Sequence, residues 1–529
     1  MNRPSFVERI LARATVHPDQ IVLEDERGEL TADELRRLVV RLARALEDVG
    51  VQPGDRVAIA GSITREALAS RYAAGLLGCA TVFCPNTGVP GRLAGFVTRV
   101  RAAAVVVFPE TAPAARELET FAPGLRLLSV GAVEGALNLL DVDSGCGRGL
   151  VAHPVCRDAL AVMVASGGTT GESKVSRRSF GGWERVVDAG SMRERRLLVC
   201  TSFAYVAQVL VDQVLLGGGV VVLCDGFSPR EVLATIAFKR ITHLALVEPL
   251  LVELIDHPEF GCHDLSSLVA ISHIGADAAP SLRRRLLRRA GPVLANPYGA
   301  SEVGIVSVLA GDDYRLGHAG RLATSGRALP GVDLRIERPD GTEAAIGEEG
   351  LISVRSPQVA DGYDATVRDS GFRNGRYYSG DLGMLDPDGY LYVRGRAADR
   401  RRVADRWVMP VDVQHALCDH PDVRYAVAIP SASAGGRDRG FSAVVVLAPG
   451  ATTDPAGLRT FVADAHGDQL VPEQVVAVDR VPVTEQGKPD RARLAILIGR
   501  AQAAHSELRS GHGDRRSPAS RFERAAYAA

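Results

Sequence analysis

The sequence predicts a mixed α/β protein: a large N-terminal part built from helix-covered parallel sheets, then antiparallel strands, then a small α+β unit. Three observations carry this expectation. Apolar strands and amphipathic helices alternate through the N-terminal half. Beyond about Ala328 the texture changes to short alternating runs separated by Asp-Gly and Asn-Gly turns. A chain of 529 residues also exceeds one ordinary domain.

The elements follow in order. The opening stretch, MNRPSFVERILARA, reads as an amphipathic helix and lacks the longer apolar run of a signal peptide. Residues 31–49 carry apolar side chains at helical spacing, with Thr31 as N-cap and Gly50 as stop. After a turn at residues 51–55, Arg56–Ala60 reads as a buried strand. A helix is expected at 65–77, a strand at 80–84, a helix at 91–100 and a strand at 103–108. The alternation resumes with a strand at 219–223, a helix at Pro229–Lys239, a strand at 242–247 and a helix at 281–290. Antiparallel strands are expected at 332–336, 350–354 and 389–393. A second compact unit begins after Gly395-Arg396, with a helix at 411–418, strands at 425–429 and 442–447, and a helix at 456–465. The expected division is 1–396, 397–500 and a polar, basic tail at 501–529 that reads as disordered. No internal repeat is visible.

Composition narrows the function. Lys plus Arg total 62 against 63 Asp plus Glu, a formal net charge of −1, which gives no footprint for nucleic acid or an anionic membrane. The eight cysteines are scattered, without a C-x-x-C pair or a zinc-like cluster, and suggest reduced thiols. No uninterrupted apolar run reaches membrane-spanning length, since Gln208, Asp212 and Gln213 interrupt the most apolar stretch. A cytoplasmic protein is expected.

The most informative segment is Ser166-Gly167-Gly168-Thr169-Thr170-Gly171-Glu172-Ser173-Lys174, which follows an apolar strand expected at 160–164. Glycines let backbone approach phosphate oxygens, hydroxyls add donors and the lysine adds charge. The order is not that of a Walker loop. Alone, such a loop is also compatible with a polar surface turn.

The segment resembles the phosphate loop of the adenylate-forming superfamily, which includes acyl- and aryl-CoA synthetases, non-ribosomal peptide adenylation domains and luciferases. Further motifs follow in the family's order. Tyr298-Gly299-Ala300-Ser301-Glu302 resembles Y-G-x-T-E, and Tyr378-Ser379-Gly380-Asp381-Leu382 resembles Y-x-T-G-D-L. Gly395-Arg396 resembles the start of the hinge motif, and Pro482-Val483-Thr484-Glu485-Gln486-Gly487-Lys488 resembles P-x-T-x-x-G-K. The resemblance covers residues 5–498 and implies a distorted β-barrel-like part and a mobile C-terminal lid.

It also implies chemistry: a carboxylic acid attacks the α-phosphorus of ATP, giving an acyl-adenylate and pyrophosphate. Two anions meeting in line repel unless cations and donors neutralise them. The resemblance assigns Thr170 and Glu302 to Mg2+, a hydroxyl and a carboxylate suited to an oxygen-seeking ion. It assigns Lys488 to the oxygens where transition-state charge builds, with Glu302 and Thr170 completing the catalytic set. ATP contacts fall to Ser166, Gly167, Gly168, Thr169, Thr170, Gly171 and Lys174 in the loop. By the same resemblance Gly275, Ala276, Tyr298, Gly299 and Ser301 are further nucleotide contacts, with Tyr298 against the adenine, Asp381 at the ribose hydroxyls and Arg396 at the ribose or phosphate. A Lys on a turn is ordinarily solvated; five motifs in order outweigh that reading.

The acid pocket is partly legible. Thr201-Ser202-Phe203-Ala204-Tyr205-Val206-Ala207-Gln208 offers no carboxylate to pair with an amino acid's ammonium group. Phe203, Tyr205, Ala207, Gly275, Gly299 and Ala300 make an apolar slot suited to an aromatic or otherwise apolar acid. Two departures bear on the acceptor. Ala398 stands at the family's hinge position, and Asp405 stands near a glycine that lies beside an incoming thiol in thioester-forming relatives. A carboxylate there repels such an approach. The sequence is therefore similar to stand-alone amide synthetases of the aminocoumarin antibiotic type, which join an acid to an amine. Asp212 is a candidate for taking the amine's proton. Ligation to CoA or a carrier thiol, and a non-catalytic nucleotide-binding homologue, are the alternatives.

Overall fold

The computed structural model describes residues 3–510 apart from 62, 86–88, 90, 144–154, 166–173, 191–192, 204, 276–277, 316–318, 365–370, 432–439 and 485–486. Apolar runs such as Ala104–Val107 are buried on both faces, as a parallel strand covered by helices requires. Among the described residues, a seven-stranded sheet has the order Leu137–Asn138, Arg126–Ser129, Ala104–Val107, Arg56–Ala60, Ala80–Phe83, Leu160–Ala165, Val175–Ser179. Its strands pair in parallel except Val175–Ser179, which turns back along Leu160–Ala165.

A nine-stranded sheet stands beside it. Its parallel centre runs from Leu294–Ala300 through Ala270–Ile274, His243–Val247, Arg196–Val199 and Val220–Leu223 to Ile21–Asp25. The helices Ala32–Asp48, Arg65–Leu76, Phe180–Asp188 and Tyr205–Gly217 fill the space between the sheets. One apolar cluster joins Val57, Ile59 and Val106 of the first sheet to Leu197, Val199 and Val221 of the second. Thr31 caps the Ala32–Asp48 helix through a reciprocal pair with Glu34, a device that satisfies two otherwise orphaned N–H groups.

A five-stranded antiparallel sheet follows, made of Asp333–Glu337, Gly350–Arg355, Phe372–Arg373, Arg376–Leu385 and Leu391–Arg396. Register shifts at Leu351/Ser353 and Leu382/Gly383 bend it into a half-barrel. Beyond Arg396 come the hairpin Arg401–Val403/Arg406–Val408 and a three-stranded sheet of Val423–Pro430, Phe441–Leu447 and Gln474–Val478. Side chains alternate across that sheet. Ala426, Ala428, Ala443 and Val445 face its own helices. Tyr425, Val427, Ile429 and Val444 instead join Leu251, Leu254 and Ile255 of the large part in one cluster.

Two expectations differ from the structure. Residues 501–510, placed in the tail, are helical, because the final helix runs Arg491–Ser510. Its Ala- and Leu-rich sequence favours helix, and Leu494 and Ile498, four residues apart, are buried in the cluster shared with the large part. Residues 511–529 lie outside the described ones. The second difference is the Tyr205–Gly217 helix, which no sequence period revealed. It is enclosed between two sheets and apolar nearly all round, so it carries no amphipathic stripe. Among the described residues, no helix is long and apolar enough to cross a membrane.

Candidate active site

Chain reversals assemble the cleft. Leu294–Ala300 and Gly304–Ala310 form a hairpin whose turn carries Ser301 and Glu302. Arg376–Leu385 and Leu391–Arg396 form another, in which Asp381 pairs across from Arg396. Residues 166–174 connect Leu160–Ala165 to Val175–Ser179.

At the first position, the Tyr298 hydroxyl donates to Asp381 Oδ2 at 2.7 Å and to Ser379 Oγ at 3.2 Å. Arg396 Nε lies 3.2 Å from Asp381 Oδ1, and another of its N–H groups donates to the Ser379 carbonyl. Each Asp381 oxygen thus has one protein partner and retains a lone pair for a ribose hydroxyl. Burial, then the Asp381 charge, hold the Tyr298 hydroxyl well above its ordinary range, so it remains a donor. Burial works against the Arg396 charge, but Asp381, Tyr298, Tyr377 and Glu302 together outweigh it and keep the guanidinium above its usual value.

Glu302 is the second centre. It is buried, with Oε1 accepting from the Tyr363 hydroxyl at 2.7 Å and Oε2 from Ser301 Oγ at 2.9 Å. Both donors are neutral hydroxyls, and Lys488 and Arg396 act on this buried carboxylate only through space. This donor set fits a magnesium ion that keeps several waters. In that arrangement Glu302 would hold the metal, which would neutralise phosphate charge.

Lys488 arrives from the small unit on a tight loop. Gly487 N donates to the Thr484 carbonyl, and Thr484 N to the Lys488 carbonyl, both at 2.7 Å. Gly487 has φ +75°, and a Cβ there would stand 2.4 Å from Val247 Cγ2, so only glycine permits this docking. The lysine stem then passes Gly275, whose added Cβ would lie 3.2 Å from Lys488 Cε. The ammonium faces the open cleft and is solvent-exposed by area, yet cleft walls surround it. That desolvation, and then the like charge of Arg396, lower its pKa from 10.5, while Glu302 and Asp381 pull the other way.

Lys174, at the exit of the glycine–threonine loop, places Nζ 5.3 Å from the centre of the Tyr363 ring. Val175–Ser179 pairs with residues 361–364, and Arg178 donates to the Ser301 carbonyl at 2.7 Å. Thus Lys174, Gly275, Tyr298, Ser301, Glu302, Asp381, Arg396 and Lys488 share one region. Ser166, Gly167, Gly168, Thr169, Thr170, Gly171 and Ala276 lie outside the described residues. Tyr363 and Arg178 were not singled out from sequence, because long-range pairing alone gives them their place.

On the acid side, Phe203 stacks obliquely on Phe83 at 5.1 Å, and Ala207 borders the same apolar cluster. Gly275 and Gly299 are exposed, and Ala300 packs with Tyr298. Tyr205 sits deeper, edge-on to Trp183 at 6.0 Å and 5.1 Å from the Arg178 guanidinium. Asp212 is unsuited to take an amine's proton. It is fully buried, and its oxygens accept from Arg71 at 2.7 and 2.8 Å, Tyr72 at 2.6 Å and Trp183 at 2.7 Å.

Comparison with known proteins identifies the family. The AMP-binding enzyme family matches residues 10–364. A feruloyl-CoA synthase from Amycolatopsis is 31% identical over 490 residues, covering 90% of this chain and 95% of the relative. The amide bond synthetase McbA from Marinactinospora thermotolerans superimposes with a TM-score of 0.83 at 30% identity, covering 93% of this chain and 98% of McbA. The O-succinylbenzoate coenzyme A synthetase of Bacillus subtilis, solved with ATP and magnesium, shares the fold with a TM-score of 0.78 at 23% identity, covering 93% and 100%. The chain belongs to the AMP-binding enzymes, the adenylate-forming ligases that activate carboxylic acids with ATP and Mg2+.

Proposed function

We propose that this ligase activates an apolar, aromatic carboxylic acid as its acyl-adenylate and transfers the acyl group to an amine, which loses a proton as AMP leaves, forming an amide. In the first half-reaction the acid's carboxylate attacks the α-phosphorus and pyrophosphate leaves. Lys488, Glu302 and Thr170 work on the developing charge, and Asp381 and Arg396 hold the ribose. The apolar slot of Phe203, Ala207, Gly275, Gly299 and Ala300, closed below by Tyr205, takes the aromatic ring.

The observation that carries the amine reading is the tip of the hairpin after the hinge. There Ala404 adopts φ +52° and Asp405 is fully exposed, its nearest cation being Arg402 at 4.0 Å. An exposed carboxylate at that tip, paired only at 4.0 Å with Arg402, opposes an incoming thiolate and tolerates a cationic or neutral amine. The likeness to McbA supports the same choice. The likeness to a feruloyl-CoA synthase favours the second reading, thioester formation.

Incubation with ATP, a panel of aryl and alkyl acids, and either CoA or amines separates the two. Mass spectrometry should find the amide and little thioester. CoA thioester formed at the faster rate would discard the amine reading and leave acid activation standing.

A further inference from the structure

We propose that Tyr363 is a positioning residue that sets the Glu302 carboxylate for the metal with its hydroxyl and Lys174 for the phosphates with its ring. The proposal rests on the reading of Glu302 as a metal carboxylate. Its ground is the way one side chain touches two others of different origin. The hydroxyl donates to Glu302 Oε1 at 2.7 Å, and the ring face lies 5.3 Å from Lys174 Nζ.

The backbone of Tyr363 is fixed as well. Ser176 bridges to Tyr363, Arg177 N donates to the Gly362 carbonyl, and Asp364 N donates to the Val175 carbonyl, both at 2.9 Å. Tyr363 is therefore registered directly against the strand that leaves the glycine–threonine loop. On the other side, Ala360 N donates to the Glu302 carbonyl at 2.7 Å. The segment around Tyr363 thus ties the loop exit to the turn bearing Glu302.

The ring itself is clamped. Phe372 meets it edge-on at 5.4 Å, and the Tyr377 hydroxyl lies 3.3 Å from the Tyr363 hydroxyl. The Tyr363 hydroxyl thus donates to Glu302 from a ring held in place on two sides. Outer-shell donors of this kind orient ligating carboxylates, and their loss typically costs roughly 10- to 100-fold in metal affinity.

The test compares Tyr363→Phe, Tyr363→Leu and Glu302→Gln in the full chain. Calorimetric titration with ATP, in excess Mg2+ and in EDTA without the acid, reads binding independently of turnover. The Mg2+ dependence of acid-dependent pyrophosphate release is measured in parallel, with thermal midpoints confirming folding. Tyr363→Phe should raise the Mg2+ concentration for half-maximal rate by about ten-fold or more, with metal-free ATP binding unchanged. Tyr363→Leu should also weaken metal-free ATP binding by several-fold, because the perch for Lys174 is gone.

If Glu302→Gln raises the Mg2+ requirement and Tyr363→Phe does not, the positioning role of the hydroxyl is overturned. If the Leu and Phe variants bind metal-free ATP equally, the ring's role is overturned. If Glu302→Gln leaves the Mg2+ requirement unchanged, the metal reading of Glu302 fails, and the proposal with it.

Discussion

On the proposed reading the first half-reaction turns on Lys488, and two predictions belong to it. Lys488→Ala should lower the rate of acid-dependent pyrophosphate release by about two to three orders of magnitude, the usual loss for one preorganised donor to a developing charge. ATP binding should change far less. The second concerns pH. Desolvation and Arg396 lower the lysine's pKa from 10.5, and the active form carries the proton. Activity is therefore retained below the lowered value and lost as pH rises through it. The alkaline limb of kcat/KM should fall below 10.5 and move up in Lys488→Arg, whose guanidinium keeps its proton. A limb unchanged in Lys488→Arg would assign it to another group. Gly275 supplies a steric check, since its Cβ would stand 3.2 Å from Lys488 Cε and its φ is +91°. Gly275→Ala should cost roughly ten- to a hundred-fold in kcat by displacing that stem, read in the same assay.

The buried helices show what element-level reasoning can and cannot extract. Asp212 on Tyr205–Gly217 looked from sequence like a polar break in an apolar stretch. In the structure it joins two other helices through Arg71, Tyr72 and Trp183, while Arg71 lies 5.4 Å from the Phe6 and Trp183 rings. Removing one member of a buried charge pair strands the other, at about 3–5 kcal/mol. Asp212→Ala should lower the thermal midpoint by several degrees, yet leave kcat for amide formation near the parent value at a temperature where the variant is folded. A selective loss of the amine step would restore its chemical role. The same contrast explains legibility. The helix Pro229–Lys239 and the strand Arg56–Ala60 lie where the sequence reading places them, because local periodicity and Pro or Gly punctuation determine them. The strands Val175–Ser179 and Gly304–Ala310 were not anticipated. Each pairs with its chain neighbour and is held on the other side by a more distant segment, such as Gly362 for Arg177 and Ala328 for Ser307. Site residues inside motifs were legible for the same local reason, and Tyr363, which acts through segments far apart in the chain, was not.

At the scale of the molecule, the proposed catalysis depends on how the small unit is held, because that unit carries Lys488. Its sheet shares an apolar cluster with the large part, Tyr425 and Val427 meeting Leu251 and Ile255, and polar contacts surround that patch. Asp256 of the large part lies 3.0 Å from Arg424 of the small unit and 3.0 Å from its own neighbour Arg285, which also donates to the Arg424 carbonyl. Arg289 stands 4.0 Å away. Near the hinge, Arg394 reaches Asp412 at 2.7 Å and Arg400 reaches Glu349 at 3.4 Å. A single exposed ion pair contributes little, but Asp256 is the carboxylate among three arginines. Its removal leaves like charges crowded at the interface: burial, then Arg424 and Arg289, already work against the charge on Arg285. Asp256→Ala should therefore loosen the docked arrangement. Pyrophosphate release should slow through kcat, because Lys488 is delivered less often, while the KM for ATP changes little. Trypsin should cut faster among Arg400, Arg401 and Arg402, and ATP with the acid should protect them. The parent enzyme should move partway toward the variant as ionic strength rises, since screening weakens the same contacts. If cleavage, kcat and salt response all match the parent, the apolar cluster alone sets the position of the small unit.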